Sequence, residues 1–461
     1  MALAIVLVLL VVGSLVFHFV SPWWFTPIAS NWGTMDQTVH ITFVVTGIVF
    51  VVVNLFMAYC VIRYRHRKGQ KAHYEPESKK LEWVLTIVTA VGVAAMLTPG
   101  LFVWAKIVNV PKDAAIVEVV AQQWHWGFRL PGADGQLGAT DAKLMSDSNP
   151  FGMNPDDPKG RDDVLVSDPE LHLPLDRPVK LLLRSKDVLH DFAVAQFRIK
   201  MDMVPGMVTY MWFTPTKKGE YEILCEELCG IAHFAMRGRV VVDDEDTYRT
   251  WLAARPTYAA LSAAAAGDVA AGAALYTPCA ACHGASGEGN AALNAPKLAG
   301  QGGWYLQRQL GNFKHGVRGT QPNDTYGMQM VPFAGLLADD TAVANLVAYI
   351  GTLPDRPSPT TVAGDARKGA ALYQTCAGCH GKSGQGIQAM DAPRLSSMSD
   401  WYLVRQLTNF KDGIRGSHHQ DFYGKQMVLI SGALGDARSI NDLVAHINGL
   451  QPAAVQVAST N

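Results

Sequence analysis

The sequence predicts a multidomain membrane protein: N-terminal transmembrane α-helices, then an antiparallel β-barrel, then two all-α domains. Three observations predict it. Three apolar runs of spanning length lie in the first 105 residues, and roughly 20 residues cross a bilayer. The middle of the chain is made of short β-branched or alternating runs separated by turns. The C-terminal part repeats itself at an offset of 97 positions, Cys376 answering Cys279.

The apolar runs are residues 2–20, about 39–62 and about 83–105. Arg63, Arg65, Arg67, Lys68, Lys71, Lys79 and Lys80 lie between the second and third, whereas Ser21 to Thr38 holds no Lys or Arg. The positive-inside rule therefore puts 63–81 in the cytoplasm and everything after about 106 outside. Trp23, Trp24 and Trp32 suit the membrane interface. Pro99 is expected to kink the third helix near its outer end. The first run has no basic n-region and no clean small-residue cleavage site, so it reads as a retained helix rather than a cleaved leader. This gives residues 1–37 as a hydrophobic helix with an outer loop and 38–107 as a transmembrane hairpin.

Residues 108–255 form the β domain, with strands expected at 115–120, 179–184, 220–224 and 238–242. These suit a cupredoxin-like Greek-key barrel. The stretch 131–165, rich in Gly, Asp, Asn and Pro, reads as a surface insertion. An Ala-rich segment at 252–266 and the Pro-rich segment 354–359 read as linkers, the second of them stiff.

Chemistry is concentrated in Cys225-Glu-Glu-Leu-Cys229-Gly-Ile-Ala-His233-Phe-Ala-Met236, with His190 upstream. Soft sulfur with imidazole suits copper. One Cys would suit a single copper, and the second points to two. A disulfide would leave His190, His233 and Met236 unexplained. This pattern resembles the CuA site of subunit II of the haem-copper cytochrome c oxidases, over residues 38 to 255. The resemblance implies that Cys225 and Cys229 bridge two coppers, with His190 and His233 as terminal ligands and Met236 as a weak one. It gives Glu227 a backbone-carbonyl contact to copper and a side chain that reaches magnesium shared with subunit I. It makes Trp124, in the aromatic run 123–128, the surface residue that receives electrons, and places Glu82 at the mouth of a proton path into subunit I. Most members have only the later two helices, so the first is a departure or an uncleaved leader.

Cys279-Ala-Ala-Cys282-His283 and Cys376-Ala-Gly-Cys379-His380 are attachment sequences for covalent haem c, each His supplying the proximal ligand. Around them Ala295-Pro-Lys-Leu matches Ala392-Pro-Arg-Leu, and Trp304-Tyr-Leu matches Trp401-Tyr-Leu. In the same register Met330 faces Met427 while Met328 faces Lys425, which selects Met330 and Met427 as distal ligands. The two domains, 267–354 and 364–451, resemble class I cytochromes c paired as in the c4 type.

A net charge of −1 implies no nucleic-acid partner. Six of the seven Cys are absorbed by these motifs, leaving Cys60 as apolar packing. Covalent haem and CuA place the domains on the periplasmic side of a bacterial inner membrane. Lys186, Arg198, Lys200, Lys217 and Lys218 add positive charge near the copper loop, which matters if the fold gathers them into one patch. Such a patch would repel a basic soluble cytochrome c, whereas a tethered donor needs no steering. The first cytochrome is expected nearer the copper, because its linker is shorter.

The expected function is that of subunit II of a proton-pumping terminal oxidase. Electrons from cytochrome c, a quinol–cytochrome c reductase or the fused haems would pass through CuA to haem and copper in subunit I, where oxygen becomes water. Subunits I and III are the expected partners. Only His18 and His40 lie in or beside the spans, so the oxygen-reducing centre must be elsewhere. Two alternatives stay open: a CuA-containing nitric oxide reductase subunit and a membrane-anchored dihaem shuttle. A quinol oxidase subunit would lack the copper ligands.

Overall fold

Apolar side chains on every face suit a helix to lipid, where its backbone polar groups bond internally. Three such helices open the chain: α1 (Ala2–Val20), α2 (Gly33–Arg63) and α3 (Lys79–Val108), all long and apolar enough to span a membrane. The computed structural model describes residues 1–450 except 22–25, 72–73, 75, 146–148, 231 and 264–266, so Trp23 and Trp24 lie outside the described residues. α1 packs along α2. α3 runs unbroken through Pro99.

Trp32 does not sit at a lipid interface. It is 2 % exposed, packs edge-on against Trp212 and donates its indole N–H to the Trp212 carbonyl at 3.0 Å. Trp212 in turn donates to the Ile107 carbonyl at 3.0 Å, and Arg198 pairs with Asp36 at 2.7 Å. The β domain is thereby fastened to the outer ends of α2 and α3.

That domain comprises β1 (Ala115–Gln122), β2 (His125–Leu130), β3 (Val164–Val166), β4 (Glu170–Pro174), β5 (Val179–Ser185), β6 (His190–Val194), β7 (Ile199–Met203), β8 (Thr209–Phe213), β9 (Gly219–Cys225) and β10 (Arg237–Asp243). They form two five-stranded sheets, ordered β3-β2-β1-β5-β8 and β4-β10-β9-β6-β7. Pairing is mainly antiparallel, but β1 runs parallel to β5 and β10 parallel to β4, the mark of strands that cross between sheets. Inward-facing Trp126, Phe128, Leu181, Phe192 and Phe213 are fully buried between the sheets. Each such side chain contributes roughly 2–3 kcal/mol of transfer free energy.

The polar stretch 131–165 is more than a surface insertion. It buries Phe151 and Met153 against Val120 and Leu165. Arg129 holds it, pairing with Glu118 and Asp163 at 2.6 Å each and donating to the Gly138 carbonyl. A Pro/Gly/Asp-rich composition hid a buried ionic clasp.

α4 (Glu245–Ala253) and α5 (Tyr258–Ala263) lead to the first cytochrome: α6 (Val269–His283), α7 (Gly303–Lys314), α8 (Thr325–Gly335) and α9 (Asp340–Gly351). The second repeats it as α10 (Ala366–His380), α11 (Asp400–Lys411), α12 (Phe422–Gly432) and α13 (Ala437–Asn448). In each, the first and last helices cross at a glycine. A Cβ at Gly272 would lie 2.0 Å from the Asn345 carbonyl oxygen, and one at Gly369 would lie 1.9 Å from that of Asp442.

The repeats face one another through matched residues. Arg318 donates to Tyr402 and Gln406, and Arg415 donates to Tyr305 and Gln309, all at 2.9–3.0 Å. The Pro-rich linker is clamped rather than free: Asp355 accepts from Lys297 at 2.7 Å and from its repeat counterpart Arg394 at 2.6 Å.

The second cytochrome is seated on the copper domain by direct hydrogen bonds, while Trp304 and Arg308 of the first share a cavity with Gln122, His125 and Ser167 at its edge. Tyr423 donates to the Ser167 carbonyl and Gln426 to the Trp124 carbonyl, both at 3.0 Å. Cys379, Met390 and Ile430 pack on the barrel core. Linker length misled because it bounds only reach, whereas the contact is decided by which surfaces fit.

Candidate metal centre and haem pockets

The antiparallel pairing of β6 with β9 sets Phe192 opposite Cys225, which brings His190 beside the end of β9. The chain then turns through 226–236 before β10 begins, with a short 3-10 turn at His233–Ala235. This gathers the donors. The sulfurs of Cys225 and Cys229 are 3.6 Å apart, both as free thiols. His190 Nδ1 lies 3.9 Å from the first and His233 Nδ1 3.5 Å from the second. Met236 Sδ is 3.8 Å from Cys229, and the Glu227 carbonyl is 3.2 Å from Cys225. All six residues picked from the sequence are together.

Their neighbours hold them in place. His190 Nε2 contacts Asp187 at 2.9 Å, which turns Nδ1 inward. Asp187 is fixed in turn by the Gln123 backbone N–H at 2.7 Å. The Cys229 carbonyl accepts from both Gln123 Nε2 at 2.7 Å and Trp124 Nε1 at 3.2 Å. Asp187 and Gln123 were not singled out as site residues, since only the fold brings them beside His190 and Cys229. The hydrogen bond from Cys229 holds the Cys225 thiol far below the usual range, and the same partnership pushes Cys229 up. Burial opposes charge on His190, but Asp187 and Cys225 outweigh it and raise its pKa. Two close sulfurs, two inward imidazole nitrogens, a thioether and a carbonyl are a donor set that fits a pair of copper ions.

Trp124 sits in the turn between β1 and β2, rather than on the first strand, and is only 7 % exposed, its ring packed in the barrel core and its carbonyl accepting from Gln426 of the second cytochrome. Glu82 is exposed in the first turn of α3, far along the chain from the copper residues.

The basic residues do not form one free patch. Lys200 pairs with Glu226 at 3.1 Å, Lys218 with Asp244 at 2.8 Å, and Arg198 with Asp36 in the membrane collar. Lys186 donates to Gln122 at 2.6 Å.

Each cytochrome encloses an apolar cavity. The first is lined by Cys279, Cys282, His283 and Met330, while Met328 points to the surface, 41 % exposed. The second is lined by Cys376, His380 and Met427, with Cys379 turned towards the barrel. His283 and His380 donate Nδ1–H to the carbonyls of Pro296 and Pro393, each at 2.7 Å. A carbonyl can only accept, so Nε2 is left with its lone pair facing the cavity, as an iron ligand requires. Burial lowers the pKa of both imidazoles, which keeps them neutral. The donor set and the apolar walls fit covalent haem. Tyr305, Gln309, Tyr402 and Gln406 line both cavities, so the two pockets meet across the repeat interface.

The family model described as "Cytochrome C oxidase subunit II, periplasmic domain" matches residues 115–244, and "Cytochrome c" matches 269–354 and 366–451. The chain is 57 % identical over 262 residues to the "Alternative cytochrome c oxidase subunit 2" of Bradyrhizobium diazoefficiens, covering 57 % of this chain and 95 % of that one. It is 27 % identical over 241 residues to the "Cytochrome c oxidase subunit 2" of Cereibacter sphaeroides, covering 49 % and 77 %. Its C-terminal part is 34 % identical over 201 residues to the "Cytochrome c4" of Azotobacter vinelandii, covering 40 % and 90 %. The chain belongs to the cytochrome c oxidase subunit II family, carrying two cytochrome c domains behind its periplasmic copper domain.

Proposed function

We propose that this chain is the electron-input subunit of a proton-pumping terminal oxidase of a bacterial inner membrane, with its own c-type haems as the supply. It works with subunits I and III, and oxygen reduction takes place in subunit I. The observation that carries the reading is the closed donor cage of His190, Cys225, Glu227, Cys229, His233 and Met236 in a domain of the subunit II family. When bound, the copper pair and the two haems supply one-electron carriers that change oxidation state without breaking bonds.

The protein's part is to hold geometry. β6, β9 and β10 fix the copper donors from a rigid double sheet, so little moves when charge changes. Asp187 orients His190, and Pro296 and Pro393 orient His283 and His380. Met330 and Met427 complete the haem pockets as distal ligands. Trp124, bonded through its indole to the Cys229 carbonyl, is the receiving residue. Glu82, exposed at the cytoplasmic end of α3, lies at the mouth of the proton path; for it, and for magnesium at the Glu227 side chain, the support is family resemblance alone.

The test is metal and haem stoichiometry with electron paramagnetic resonance on the full chain, made with haem-attachment machinery and loaded with copper. Two covalent haems, two coppers and a delocalised mixed-valence signal support the reading. Two haems without that signal would leave a dihaem shuttle.

A further inference from the structure

The duplicated cytochromes offer the same face to different surroundings. In the second repeat, Cys379, Met390 and Ile430 pack on the barrel core, and Gln426 beside them donates to the Trp124 carbonyl at 3.0 Å. Gln426 is next in sequence to Met427 in the wall of the second pocket. Trp124 in turn donates to the Cys229 carbonyl at 3.2 Å. A short chain of side-chain and backbone contacts thus joins the second haem pocket to the copper cage.

Moving back 97 positions gives the counterparts Cys282, Leu293, Phe333 and Gln329 in the first repeat. There the face is open: Leu293 is 48 % exposed, Phe333 41 %, Met328 41 % and Leu336 67 %. α8 itself carries no charged residue, whereas its counterpart α12 carries Lys425. Clustered apolar side chains left in water mark an interaction site rather than a core. The repeat identifies what covers such a face, because its twin is seated on a redox domain.

Building on the proposed function, we propose that the two cytochromes are wired in series. The second is a fixed inward relay seated on Trp124 through Gln426. The first receives each electron from outside through the uncharged α8 face. The partner on that face is a one-electron carrier protein whose redox edge is ringed by apolar, uncharged side chains. The electron passes from that carrier, which is oxidised, to the first pocket, then across the shared Tyr305–Tyr402 wall to the second, then to the copper cage. No proton or bond change is needed.

The test uses the complete oxidase, mixed without oxygen with a purified, reduced mono-haem c-type cytochrome. Haem and copper absorbance are followed in time. Gln426→Ala is expected to slow copper reduction about five- to tenfold, the effect of one lost docking hydrogen bond, and to leave haem reduction unchanged. Gln329→Ala is expected to leave the copper step unchanged. Phe333→Glu is expected to slow haem reduction about tenfold or more by placing a charge in an apolar contact. Haem reduction in the native protein should change only modestly with ionic strength, because α8 carries no charged residue and the Arg405 guanidinium bordering it is stacked on Tyr326 and bonded to Asn294. Equal slowing of the copper step by the two glutamine variants, or unchanged haem reduction in Phe333→Glu, would overturn the proposal, as would a steep salt dependence.

A second measurement does not depend on the metals. A photo-crosslinking residue at Leu429 should couple to the barrel within the chain, and one at Phe333 should couple to the added cytochrome. Coupling of residue 429 to anything other than the barrel would overturn the relay. A native chain that lacks the copper signal but keeps both crosslinks would sink the proposed function and leave the docking arrangement standing.

Discussion

Arg318 of the first cytochrome donates to Tyr402 of the second at 2.9 Å, and 97 positions later the same bond returns as Arg415 to Tyr305. Gln309 and Gln406 each accept from both arginines. Both guanidinium groups are buried, 8 % exposed. Arg318→Ala strands the acceptors of a buried charged network, which should cost roughly 2–4 kcal/mol. Arg415→Ala should cost the same. Because the two share acceptors, the double variant should fall short of the sum by about 1 kcal/mol or more. Urea unfolding of the haem-loaded chain measures this.

Gly230 has φ +124°, and a Cβ there would lie 2.7 Å from Gln123 Nε2 and 3.0 Å from Trp124 Cζ2. Gly230→Ala should therefore push away the two side chains that hold the Cys229 carbonyl. We expect about 2 kcal/mol of destabilisation from backbone strain and crowding. Altered copper hyperfine structure, with an unchanged haem spectrum, would accompany it.

Cys225→Ser removes one of two sulfurs 3.6 Å apart. The delocalised two-copper signal should vanish while two covalent haems per chain remain, since both pockets lie in other domains. Copper analysis and electron paramagnetic resonance on one preparation check both halves. Parallel loss of haem would mean that the variant misfolds, and Met236→Leu then offers a milder lesion at the same cage.

Glu170 bridges β4 and β10. Burial works to raise its pKa, but hydrogen bonds from His172 and Arg239 outweigh burial and pull it down to about 2. Its folded value thus lies below the ordinary 4.5. The stabilisation is complete above that ordinary value and drains away as pH falls towards 2, on the order of 2–3 kcal/mol in all. Thermal unfolding of the intact chain between pH 7 and pH 3 should show this slope, and Glu170→Gln should flatten it while lowering stability at neutral pH.

Legibility in the sequence followed locality. The helices, the haem repeats and most of the copper donors lie in short runs where periodicity and spacing carry the information. The longer-range relationships did not show. Arg198 and Lys200 looked like free charge because their partners, Asp36 and Glu226, lie far off in the chain and are brought near only by the fold. Trp32 looked interfacial because an aromatic residue beside a span suits lipid and a domain base equally well. The order of the cytochromes was misread from linker length, when the apolar seat for Met390 and Ile430 on the barrel decides it.

The matched contacts between the cytochromes have a consequence for growth of the chain. An interface in which each unit offers its partner the same residues is self-complementary, so it closes at two and leaves no copy of the joining surface free. A further duplication would find that surface already occupied. A head-to-tail arrangement could have been lengthened one unit at a time; this one sets its own span at two pockets, with one outward face and one inward face.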